Sequence, residues 1–288
     1  MAAPVRDVSL LGLGLRDTAY TYMDPHSLPS GGDWALERSA VVFIEGAERV
    51  AVSGCVFERV DGNAVMLSAY TRNVSITYNE FAWLGATAIA AWGNTAPSAG
   101  ADSVMPYGYG SDATNGDQPR YNVISHNLCR ELGIYEKQSS FYTQFKSGYN
   151  EVTANIVFNG PRAHLNHNDG AIGGTRHESN LIFNSCRESG DHGPFNSWDR
   201  DPALIVDPIT GAVTTTKAVD VLSRNFIVAN YNSLGAVDND DGSSYYLSES
   251  NFFVYGGGGL KNDFEVRLMR RIERDGGWCK TLAARRGH

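Results

Sequence analysis

One short pattern constrains this chain more than any other feature: an Asn, or once a Cys, followed by alternating apolar residues. It reads Cys55-Val56-Phe57, Asn79-Glu80-Phe81, Asn127-Leu128-Cys129, Asn155-Ile156-Val157-Phe158, Asn180-Leu181-Ile182-Phe183, Asn225-Phe226-Ile227-Val228 and Asn251-Phe252-Phe253-Val254. Successive anchors lie 24, 48, 28, 25, 45 and 26 residues apart, and the two longest intervals contain turn-rich insertions, Asn94 to Pro119 and Asp201 to Lys217. The unit is therefore roughly 25 residues long. Each unit carries short runs rich in Val, Ile, Phe and Tyr broken by Gly and Asn, with no sustained helical period. A coil this short cannot bury its own apolar side chains, so it must stack on its neighbours at the ~4.8 Å spacing of paired strands. The repeated Asn then has a physical role at a bend, its amide bonding to the copies above and below. The expected fold is all-β: a right-handed parallel β-helix, a pectate-lyase-like solenoid with inserted loops, over residues 1–264. From 265 to 288 the pattern stops, and a tail with seven basic and three acidic residues is expected to be helical or irregular.

Composition narrows the partners. Lys and Arg total 24 against 32 acidic residues, a net charge of -8, which argues against a nucleic-acid binder because phosphate demands a basic face. No stretch approaches the ~20 apolar residues of a membrane span, and Met1 to Leu15 lacks the basic start and apolar run of a signal peptide. Cys55, Cys129, Cys186 and Cys279 follow no metal-ligand spacing and are expected as free thiols. A monomer needing no cofactor is expected.

Aligning the coils brings out a second element: Asn166-His167-Asn168-Asp169, Asn196-Ser197-Trp198-Asp199 and Asp238-Asn239-Asp240-Asp241. Each places a carboxylate three residues after an Asn or Asp, and 14, 19 and 16 residues past its anchor, offsets that inserted turn residues can absorb. Three carboxylates would then lie on consecutive coils along one face. That suits glycoside hydrolysis, in which one carboxyl group donates a proton and another acts as nucleophile or base, with separations of about 5–10 Å. Trp198, Phe195, Tyr245 and Tyr246 offer apolar faces to sugar rings, while Asn166, Asn196 and Arg200 bond or orient polar groups. Weaker constellations are a metal site at His164, His167 and Asp169, whose residues three apart point to opposite faces of a strand, and calcium held by Asp238, Asp240 and Asp241. The expectation is no metal.

At these residues the chain resembles the parallel β-helix repeat proteins of glycoside hydrolase family 141. The resemblance runs from Val5 to Phe264 and is densest at Pro29 to Trp34, Asn122 to Tyr135, Cys186 to Arg200 and Asp238 to Ser244. It implies a secreted or cell-surface hydrolase acting on fucose- or xylose-containing plant or algal polysaccharide. Catalysis would fall to two aspartates, carried here by Asp199 and by Asp240 or Asp241. Asp169, Asn166, Asp191, His192, Asn196, Trp198, Arg200 and Tyr245 would bind substrate. Members of the family are generally longer, so the chain resembles an internal portion of one. Two other readings stand beside this one. The first is a calcium-dependent polysaccharide lyase with Arg187, Arg200 or Lys146 as base; the second is a β-helix that binds carbohydrate without turnover.

Overall fold

The computed structural model describes residues 3–24, 26, 36–94, 116–199, 203–207, 209–230, 233, 235–256 and 259–262. Within them the chain is a parallel β-helix, and no helical residue occurs. Each coil gives one strand to each of three sheets, as in Val65–Arg72, Ser75–Thr77 and Glu80–Ala82 and, one coil on, Ile89–Trp92, Val123–Ser125 and Leu128–Arg130. The first sheet has 9 strands and the second and third have 8, every pairing in them being parallel. The insertion after Asp199 carries a small antiparallel hairpin, Ile205–Val206 with Val213–Thr214. The expected tail and Cys279 lie outside the described residues; Cys55, Cys129 and Cys186 are buried free thiols.

The anchors sit where they were expected, at the corner between the second and third sheets. That corner is two residues long in every coil: one residue with positive φ, then the anchor, whose place in the first coil is taken by Leu13. Gly12, Gly54, Tyr78, His126, Ala154, Ser179, Arg224 and Ser250 occupy the left-handed position, which costs a non-glycine residue about 1–2 kcal/mol. The Asn that follows offsets this cost. Asn127 Oδ1 accepts from both the N–H and the Nδ2 of Asn79 at 3.0 Å. Asn127 Nδ2 in turn donates to Asn155 Oδ1 at 3.0 Å and to Ile76 C=O at 2.9 Å. The same bonds repeat through Asn155, Asn180, Asn225 and Asn251. The ladder ends below at Cys55, whose N–H still donates to Asn79 while its thiol turns to the carbonyls of Leu10 and Ser53.

Inside the coil, side chains stack in rows. The second sheet contributes Val52, Ile76, Ile124 and Val152, then His177 and Leu222. An interior row of the first sheet runs Leu67, Ala91, Gln144, His167, Ser197, Asn239. The core is therefore apolar in the early coils and acquires a polar heart from Gln144 onward. His167 and His177 meet there, Nε2 to Nε2 at 2.7 Å, among Tyr142, Phe195 and Tyr246.

Candidate functional site

The strands that follow Gln144 build the candidate site on the outer face of the first sheet. Alternate residues there turn away from the core, and the outward row runs Met66, Ala90, Thr143, Asn166, Asn196, Asp238, Lys261. It changes from apolar to polar at the same coil as the interior. Asn166 Nδ2 donates to Thr143 Oγ1 at 3.1 Å and Asn196 Nδ2 to Asn166 Oδ1 at 3.2 Å. The Lys261 ammonium lies 3.0 Å from Asp238 and 3.8 Å from Asp240. His192 reaches this row from the preceding connection. It hydrogen-bonds Asn196, and burial, with Arg162 adding to it, pushes its pKa down to about 4. Asp191 beside it is exposed.

The three carboxylates of the sequence pattern follow register-paired Asn166, Asn196 and Asp238, and main-chain bonds keep them on consecutive rungs. Lys146 N–H donates to Asp169 C=O at 3.1 Å, and Asp199 N–H to Asp241 C=O at 3.1 Å. Gly170 N–H donates to Asp199 Oδ1 at 3.0 Å. Asp240 N–H meets Ser197 C=O, and its Oδ1 accepts Asp241 N–H. Their environments differ sharply. Asp199 is buried in an ion pair with Lys217 Nζ at 2.8 Å, and that ammonium sits 5.2 Å from the centre of the Tyr246 ring. Asp169 is buried as well, whereas Asp240 and Asp241 are half-exposed.

Not every expected contact forms. Phe195 and Tyr246 point inward, because the strand's alternation puts them on the core side, so they cannot face a sugar. Trp198 is buried in an outer apolar cluster with Met66, Trp92 and Phe145. Tyr245 is half-buried at a left-handed corner, its carbonyl taken by Asp220 N–H. Arg200 lies outside the described residues. Arg187 stands apart at the third-sheet corner, beside Glu131. Among the described residues no group of three or more His, Cys, Asp or Glu is arranged to hold a metal ion. At Asp238 and Asp240 the Lys261 ammonium supplies the positive charge.

The sequence reading missed Lys217, Lys261 and the buried Asp220. Asp220 had a visible signal. Asn122, Asn150, Thr175 and Asp220 each stand five residues ahead of an anchor Asn. They form a second ladder: Val74 N–H to Asn122 at 2.9 Å, Asn122 N–H to Asn150 at 3.1 Å, and Thr175 N–H to Asp220 Oδ1 at 2.8 Å. Burial pushes Asp220 up to about 7, with Lys217 opposing the shift.

Comparison with solved structures places this geometry in context. A structure titled "Glycoside hydrolase" superposes with a TM-score of 0.55 at 11% identity, over 88% of this chain and 48% of that one. The shared feature is the fold. The chain thus spans about half the length of that structure. The A-module of mannuronan C-5 epimerase AlgE4 from Azotobacter vinelandii aligns with a TM-score of 0.40 at 12% identity, over 85% of this chain and 67% of that module. No protein-family model and no curated protein matches the sequence.

Proposed function

We propose that this chain is the β-helix portion of a polysaccharide-active glycoside hydrolase of the family 141 kind, exported to act on fucose- or xylose-containing polysaccharide. The observation that carries the reading is the placement of Asp169, Asp199 and Asp241 on three consecutive rungs beside the polar row Asn166, Asn196, Asp238. Neighbouring rungs are ~4.8 Å apart, which matches the separations that two-carboxylate hydrolysis requires, ~5–5.5 Å for retention and ~6.5–9.5 Å for inversion. In this reading Asp240 and Asp241, which solvent reaches, exchange the proton with the glycosidic oxygen. Asp199 is the negative charge facing the developing oxocarbenium ion, and Lys217 fixes its position. The half-buried His192 meets sugar hydroxyls on the outer face, while Asn166 and Asn196, themselves buried, tie the row beneath it together. The similarity to a glycoside hydrolase structure supports the scaffold for this chemistry.

The test is release of reducing sugar from a soluble xylan and from a fucose-rich algal polysaccharide. Asp199→Asn and the double variant Asp240→Asn/Asp241→Asn are each expected to lower the rate by at least ~10²-fold, the scale of a lost acid or base, with the fold intact. Full activity in folded Asp199→Asn would sink the assignment. One observation favours a second reading: the Lys261 ammonium on the polar row could hold a uronate carboxylate. An unsaturated product absorbing in the ultraviolet, in place of reducing sugar alone, would select a lyase.

A further inference from the structure

A second surface, at the corner from the third sheet to the first and so at the opposite end of the first-sheet strands from the carboxylates, is built for contact with a ligand. The connection from the third sheet back to the first takes six residues at 83–88 and again at 159–164, but eleven at 131–141 and at 184–194. At 131–141, as at 184–194, the extra residues fold back onto the coil below. Gly133 N–H donates to Ala86 C=O at 3.2 Å, Ile134 N–H to Leu84 C=O at 3.0 Å, and Tyr135 N–H to Gly85 C=O at 3.0 Å. A Cβ at Gly85 would sit 2.9 Å from the Tyr135 ring and 1.6 Å from the Asp61 carbonyl, so only glycine admits this approach.

The base of this fold-back serves the core through Leu132 and Phe141, but its tip does not. Tyr135 stays 53% exposed, beside Trp83, which its left-handed corner turns outward and leaves 47% exposed. The two rings, with Ile134, Glu58, Arg59 and Asp61, line a cavity of about 380 Å³. Tyr22 extends the aromatic line, its ring centroid 5.0 Å from that of Tyr135, and Tyr20 follows at 6.3 Å. Exposed aromatic rings grouped over a cavity make a candidate binding site, and the volume lies within the ~300–1,000 Å³ range of ligand pockets.

We infer that the groove between Trp83 and Tyr135 binds sugar units of a glycan chain, apart from the carboxylate rungs. Pyranose rings are amphipathic. Their C–H faces stack on flat aromatic rings, and their hydroxyls need donors and acceptors around the rim. The groove supplies both. The rim carries three carboxylates, Asp17, Glu58 and Asp61, against one guanidinium, Arg59, which bonds Asp17 at 2.7 Å and Glu58 at 2.8 Å; Asp61 also accepts the N–H of Thr21. Such a rim offers acceptors to hydroxyl donors and repels an anion, so a neutral, hydroxyl-rich ligand fits it better than an anionic one. Aromatic grooves also take proline-rich peptides, but a proline-rich segment has few N–H donors to offer three carboxylates. The choice of polysaccharide rests on the proposed function, whereas the existence of the groove does not.

The experiment is affinity electrophoresis of the full chain, carrying Asp199→Asn to prevent cleavage, in gels containing soluble xylan or a fucose-rich algal polysaccharide. At least one polysaccharide is expected to retard the protein. Trp83→Ala and Tyr135→Ser should weaken that retardation by about tenfold each, while Tyr135→Phe, which keeps the ring, should not. Melting by circular dichroism checks that the variants fold. In the active protein, Trp83→Ala should leave reducing-sugar release from a short oligosaccharide unchanged. Retardation that persists in folded Trp83→Ala and Tyr135→Ser, or no retardation by either polysaccharide, would overturn the groove assignment. Binding to a proline-rich peptide alone would overturn it too. Retardation lost in the variants of a protein that never cleaves would keep the groove and remove the hydrolase.

Discussion

Single side chains already set how this protein responds to acid. Burial pushes His164 and His177 down to about 3 and holds His167 well below the ordinary imidazole range, with His177 and Lys217 adding to the effect. In the unfolded chain each titrates near ~6.5. Their contribution to stability is therefore whole above that pH and drains away as pH falls toward the folded values. Asp220 works in the opposite direction. With its pKa raised to about 7 from an unfolded ~3.9, its contribution is whole at low pH and is lost as pH rises through 7. Three histidines outweigh one aspartate, so the melting temperature should fall between pH 7 and pH 4. Asp220→Asn keeps the acceptor for Thr175 N–H and removes the opposing contribution. The expected outcome is a steeper fall in the variant, measured by thermal melts across that range; a shallower one would contradict the burial argument.

Among the elements, the corner ladder is what the sequence showed most openly. Asn127→Ala deletes four hydrogen bonds and leaves the Asn79 N–H buried without its acceptor. A loss of about 2–4 kcal/mol is expected, read as a drop in the denaturant midpoint with the slope unchanged. The ladder was legible because it is local and periodic: one residue type at one spacing, next to apolar alternation. The carboxylate rungs were legible for the same reason, since Asp169, Asp199 and Asp241 keep their three-residue offset from register-paired positions. What surrounds them was not. Lys217 ends an insertion with no periodicity, and its partner Asp199 lies across a loop, so nothing in the spacing announces a buried ion pair. The orientation of Phe195 and Tyr246 could have been read from alternation, but only after fixing which strand residue faces the core. The second ladder, five residues ahead of the first, was visible but is chemically mixed, passing from Asn to Thr to Asp.

For the whole molecule, stability is distributed along one axis, because each coil touches only its neighbours. Among the described residues the first coil, Val5–Arg6, Ser9–Leu11 and Gly14–Arg16, pairs with the second coil alone and leaves Val5 and Leu11 about 60% exposed. Central strands such as Ile89–Trp92 are paired on both sides and fully buried. Native-state hydrogen exchange should therefore show protection rising from the first coil to the strands between Val65 and Leu165, and falling again toward Tyr246–Glu249. Uniform protection would mean that the stack opens as a single unit.

The two-residue corner has one further meaning. The other corners vary freely in length: from the first sheet to the second the chain takes two residues after Arg72 and many more after Trp92 and Ser197, and from the third to the first it takes five after Val254, six after Ala82, eleven after Arg130 and 25 after Arg16. Only the corner carrying the Asn ladder never changes. It acts as a timing mark, resetting the phase of the winding on every turn, so that a loop of any length gained elsewhere is forgotten within one coil. A scaffold with such a mark can be rewritten along two of its edges without losing count along the third, and both candidate binding surfaces lie on the edges where rewriting is allowed.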